Sequence, residues 1–73
     1  MSIQRLERVM WRLRALNKGA SKANRDDLRL CIMKEIGTSP TCVKENIRAL
    51  KALKWIEMGR GKFLTLTGKD ISD

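Results

Sequence analysis

The sequence contains no histidine, only two cysteines, a single proline, and no apolar run approaching the roughly 20 residues of a membrane span. Without imidazole, a Ser, His and Asp set or a Cys and His pair is impossible, and hydrolytic chemistry of that kind is excluded. Cys31 and Cys42 cannot form a zinc site unless carboxylates join them, and nothing in the chain resembles paired thiolate spacing. Each reads as a small buried apolar side chain. Gly59, Arg60 and Gly61 are followed by no helix start, so they form a turn and not a phosphate-cradling loop. An enzyme, a metal site and a cofactor are all unexpected, and no small-molecule ligand is evident. The first ten residues already carry Arg5, Glu7 and Arg8, which is not the pattern of a secretory leader. The expected setting is cytoplasmic and nucleoid-associated, with no membrane role.

The 73 residues make one small domain, of a size that buries only about 60% of the surface its unfolded chain exposes. With 42% hydrophobic and 33% charged residues the chain reads as globular, not disordered. Sixteen Lys and Arg against 8 Asp and Glu leave a formal net charge of +8, and the pI is about 10.2. That balance points to a polyanionic partner. A membrane surface fits less well, because the basic residues share their helices with turns and caps of a packed domain.

Periodicity and caps divide the chain into elements. Ile3, Leu6, Val9, Met10, Leu13 and Leu16 predict a helix over 2–17, stopped by Asn17, Lys18 and Gly19. Trp11 points away from that apolar side, near Ala15, and the pair is a candidate dimer contact. Residues 19–23, GASKA, read as a connector. Asn24 is placed to cap a second helix over 24–36, with Asp26 and Asp27 at its positive end. Apolar residues cover most of its circumference and leave a narrow polar strip at Arg29, Lys34 and Glu35, so it is expected at the centre of the bundle. Gly37 is expected to close it in a left-handed conformation, and the side chain of Ser39 to cap the third helix, with Pro40 at the first helical position.

In that third helix, over 39–54, Val43, Ile47, Leu50 and Leu53 recur at steps of four and three. Lys44, Arg48 and Lys51 recur with the same steps one position later. One side is therefore buried and the neighbouring arc is basic. Two β-prone runs around Gly59–Lys62 then predict a hairpin over 55–67, and 68–73 reads as a loose tail. The expected fold class is α+β, mainly α: a three-helix bundle with a C-terminal two-stranded β-hairpin wing.

The stretch IMKEIGTSPTCVKENIRALKALKWIE, residues 32–57, together with the hairpin ending LTLTG, resembles the winged helix-turn-helix domain of small prokaryotic, archaeal or viral transcription regulators. Met33 stands where a small alanine is common in that family, which implies a slightly wider gap between the second and third helices. The resemblance implies that the third helix enters the major groove of double-stranded DNA. Ser39, Thr41, Lys44 and Arg48 would then lie near the bases, Lys51 near a phosphate, and Arg60 and Lys62 on adjacent backbone or minor groove. Ser21, Lys22 and Arg25 are weaker candidates for backbone contacts. Reading two half-sites implies a homodimer, with Trp11 and Ala15 at its seam. A protein-interaction module of the same fold and a non-specific architectural DNA binder are the alternatives.

Overall fold

The first helix forms where the apolar period begins. In the computed structural model, which describes residues 3–71, α1 spans Ile3–Leu16 and buries Leu6, Val9, Met10 and Leu13. Its start at Ser2, as expected from the pattern, lies outside the described residues. The stop is the expected one. Lys18 (φ 54°) and Gly19 (φ 78°) turn left-handed, and the Gly19 N–H donates back to the Arg14 carbonyl at 3.0 Å.

The connector after α1 differs from the expectation. Lys22–Asn24 is a strand, β1, and it pairs antiparallel with the second strand of the wing. Three residues are too few to show a period of two, so β1 is invisible locally. It exists because a distant strand offers free backbone groups, and it buries Ala23. The cap that follows is as expected: Asn24 accepts from the Asp26 N–H at 2.8 Å and opens α2, Arg25–Glu35. Leu28, Cys31 and Ile32 are buried, and α2 packs against α1, α3 and β1, which makes it the central helix.

The turn into α3 departs from the expectation in two ways. Gly37 is not left-handed; α2 closes instead with the Ile36 and Gly37 amides both donating to the Ile32 carbonyl, at 2.8 and 3.2 Å. Ser39 is extended, but its side chain makes no capping hydrogen bond. Pro40 at the start of α3, Pro40–Ala52, already supplies a helical φ and no N–H that needs a partner. The buried stripe of α3 is also rotated from the expected one. It consists of Val43, Asn46 and Leu50, while Ile47 is half-buried and Leu53 sits at the exposed margin. Lys54 (φ 61°) ends the helix, and the Trp55 N–H reaches back to the Leu50 carbonyl at 3.1 Å.

The wing is β2, Ile56–Met58, and β3, Phe63–Leu66, joined by a turn in which Gly61 is left-handed. Strand order is β1-β3-β2, all antiparallel. Leu64, Leu66 and Ile56 face the helices with Ala23, and Trp55 is buried beside them. The molecule is thus three helices with a three-stranded antiparallel sheet, a three-helix plus β-wing arrangement with one strand more than the hairpin itself. Among the described residues no helix is long and apolar enough to cross a membrane.

Within the described residues the start of the tail is tied down, not loose. Thr67 donates its hydroxyl to the Lys54 carbonyl at 2.6 Å, the chain turns at Gly68, and Asp70 forms a two-pronged ion pair with Arg14 of α1. The pairing spans nearly the whole chain, so no local pattern reveals it. Residues 72–73 lie outside the described part.

Candidate functional site

The basic arc of α3 is a consequence of its wheel. Because Val43, Asn46 and Leu50 face the core, Thr41, Lys44, Arg48 and Lys51 are left on the outer side, and all four are exposed. Lys44, Arg48 and Lys51 line a shallow depression of about 320 Å³ with Ile47 and Met58. Two residues from α2, Arg25 and Arg29, complete its wall. They are one helical turn apart, so both point from α2 toward the same side.

Five cations therefore converge from two elements, and no carboxylate lines the depression. None of the five is in a salt bridge, while Arg12 and Arg14 of α1 pair with Glu35 and Asp70. Charges of one sign gathered on a concave surface raise the local potential and concentrate anions there. Glu45 is exposed on α3 but does not line the depression.

Arg29 was not among the residues singled out from the sequence, where it belongs to the polar strip of α2. Arg25 ranked only as a weaker candidate for a backbone contact. Their i, i+4 spacing was visible as a shared face. What no spacing shows is that this face looks across to α3.

Near the start of α3, Ser39 and Thr41 are exposed, and the unused Ser39 hydroxyl stays free of any capping role. A second depression opens between α2 and α3, with Met33, Val43 and Ile47 at its base and Arg29 and Lys44 at its rim.

The wing residues are divided. The Arg25 N–H donates to the Lys62 carbonyl at 2.6 Å, which fixes the end of the turn against the start of α2, beside the cationic depression. Arg60 lines a different groove with Asn17, Lys22, Asp27 and the exposed ring of Phe63, on the outer face of the sheet. Register explains that face: Lys22 pairs with Thr65 and Asn24 with Phe63, so their side chains alternate outward while Ala23 and Leu64 turn inward. Ser21 is exposed in the strand approach and lines neither depression.

Trp11 and Ala15 are both exposed on the outer side of α1. They open onto different depressions, Trp11 beside Ile71 of the tail and Ala15 beside Leu16 and Leu30.

The arrangement can hold an extended anion. Among the described residues, no group of three or more His, Cys, Asp or Glu is placed to hold a metal ion. Comparisons with protein-family models, with curated proteins and with solved structures find no match to this chain.

Proposed function

We propose that the chain is a sequence-specific double-stranded DNA-binding protein of the winged helix-turn-helix type, acting as a small transcription regulator of the nucleoid. The observation that carries the reading is the carboxylate-free depression in which Arg25, Arg29, Lys44, Arg48 and Lys51 converge. A duplex offers one negative charge per roughly 1.7 Å of its axis, and neutralising those charges releases counterions. With α3 in the major groove, Arg48 presents a fork that matches the two acceptors of guanine. Lys44 lies beside it, and Lys51, Arg25 and Arg29 reach phosphates. The amides at the start of α3, with the hydroxyls of Ser39 and Thr41, supply neutral donors to the backbone. Lys62 meets the backbone next to α2, and Arg60 reaches the neighbouring minor groove from the wing. Two copies reading two half-sites make such a short contact set selective.

The test is gel retardation of random and selected duplexes over a salt series. Retardation that weakens steeply with salt, plus recovery of one motif from a random pool, supports the reading. Retardation without a recoverable motif leaves an architectural binder. No retardation even at low salt sinks DNA binding and leaves a module that docks an acidic protein.

A further inference from the structure

Two of the largest exposed apolar side chains of the described molecule lie in one place. Trp11 is 74% exposed and Ile71 is 71% exposed, and they line a common depression with Glu7 and Arg8 at its rim. Sequence distance separates them, and the Arg14–Asp70 ion pair joins them. Its carboxylate is only 2% exposed, while the guanidinium keeps 22%. Removing a carboxylate from water is unfavourable unless it is well paired, and here two parallel hydrogen bonds from one guanidinium supply the pairing. The pairing sets the next residue, Ile71, against the outer side of α1 beside the indole.

We infer that the Trp11–Ile71 face is where a second copy of the chain docks, so that α1 and the strap ending at Ile71 form the seam of a two-fold dimer. The occupant follows from charge. A protein of net charge +8 repels its own copy over most of its surface. This face presents both signs, Glu7 beside Arg8, with the Arg14–Asp70 pair already neutralised, whereas the α3 depression is lined by Ile47, Met58 and cations with no acid among them. A face of both signs can be laid on itself across a two-fold axis with unlike charges opposed.

Size sets the expected strength. An indole contributes roughly 150–250 Å² of buried surface, while a stable interface takes about 800 Å² from each partner. Trp11 and Ile71 thus form the centre of a seam that the rest of the outer side of α1 must complete. The inference rests on the two-copy part of the proposed function and is independent of DNA binding, since the face shares no lining residue with the α3 depression.

Sedimentation equilibrium of the full chain over a concentration series tests it. The unaltered chain is expected to dimerise, Trp11→Ser and Ile71→Ser each to raise the dissociation constant at least tenfold, and Asp70→Asn to raise it less. Circular dichroism checks that each variant folds. Tryptophan emission gives a second readout that needs no variant: it moves to the blue with concentration as Trp11 is covered, because Trp55 is already buried. A chain that stays monomeric, or a dimer unmoved by all three substitutions, overturns the inference. Retardation of a duplex with one half-site is expected to survive Trp11→Ser. A dimer that retards no duplex therefore defeats the DNA reading and leaves the seam standing.

Discussion

At Asn46 the side-chain amide donates to the Cys42 carbonyl at 2.7 Å, while Oδ1 is buried without a partner and the residue as a whole is 2% exposed. An unpaired buried carbonyl loses its hydration for nothing, at about 1–3 kcal/mol, and the single amide bond returns about 1 kcal/mol. Leucine has the same branching at Cγ and no polar atom. Asn46→Leu is therefore expected to raise the unfolding free energy by about 1 kcal/mol in a urea titration. A helical wheel assigns asparagine to the wet side, which is why the core stripe of α3 was misplaced toward Ile47 and Leu53. Cys31 behaved as its type implies. Burial pushes its thiol up, and the nearer charges, Arg12 first, act less strongly. The folded chain consequently holds this proton more tightly than the unfolded one. Stability that depends on it is complete below the ordinary thiol value of about 8.5 and declines as pH rises past it. At pH 8 a thiol reagent is expected to label half-buried Cys42 first and Cys31 only at the rate of unfolding, as peptide mapping would reveal.

Elements built from local rules were legible. The three helices, the Asn24 cap, the Pro40 start and the Gly-containing wing turn each depend on residues within a few positions of one another. Asn24→Ala is expected to cost about 1 kcal/mol, read as a lower urea midpoint, because the Asp26 amide loses its acceptor. Lys54 holds the left-handed position that ends α3 with φ 61°. Glycine adopts that conformation without Cβ strain, so Lys54→Gly is expected to stabilise the protein by about 0.5–1 kcal/mol in the same titration. Two features failed the local approach for opposite reasons. Ser39 had the right chemistry for a cap and did not use it: its carbonyl accepts from the Val43 N–H at 3.0 Å, as any residue there can, but its side chain makes no capping hydrogen bond. Lys22–Asn24 had no strand pattern and became one, since β3 lies alongside with a free edge.

Over the whole molecule the charge is distributed unequally. The acidic partners Glu35 and Asp70 neutralise arginines of α1, and no carboxylate lines the depression between α2 and α3. If Arg25, Arg29, Lys51 and Lys62 meet phosphates, the logarithm of DNA affinity against the logarithm of salt should approach a slope of about −3.6 per copy. Lys51→Ala and Arg29→Ala are each expected to reduce that slope by about one, while Arg48→Ala relaxes base preference. The Arg29 result is the sharper of the two, because its place beside α3 comes from packing alone. An unchanged slope in Arg29→Ala would remove it from the site. What the sequence determined by itself was everything that a period, a cap or a turn residue can carry: three helices, a wing and a basic arc on α3. Only the tertiary structure decided that α2 turns Arg25 and Arg29 toward that arc, that Arg60 faces a separate groove, that β1 joins the sheet, and that Asp70 straps Ile71 beside Trp11. The physical reason is range. Helix and turn preferences act between neighbours, whereas strand pairing, ion pairing and the convergence of charges join residues that only the folded core brings within reach.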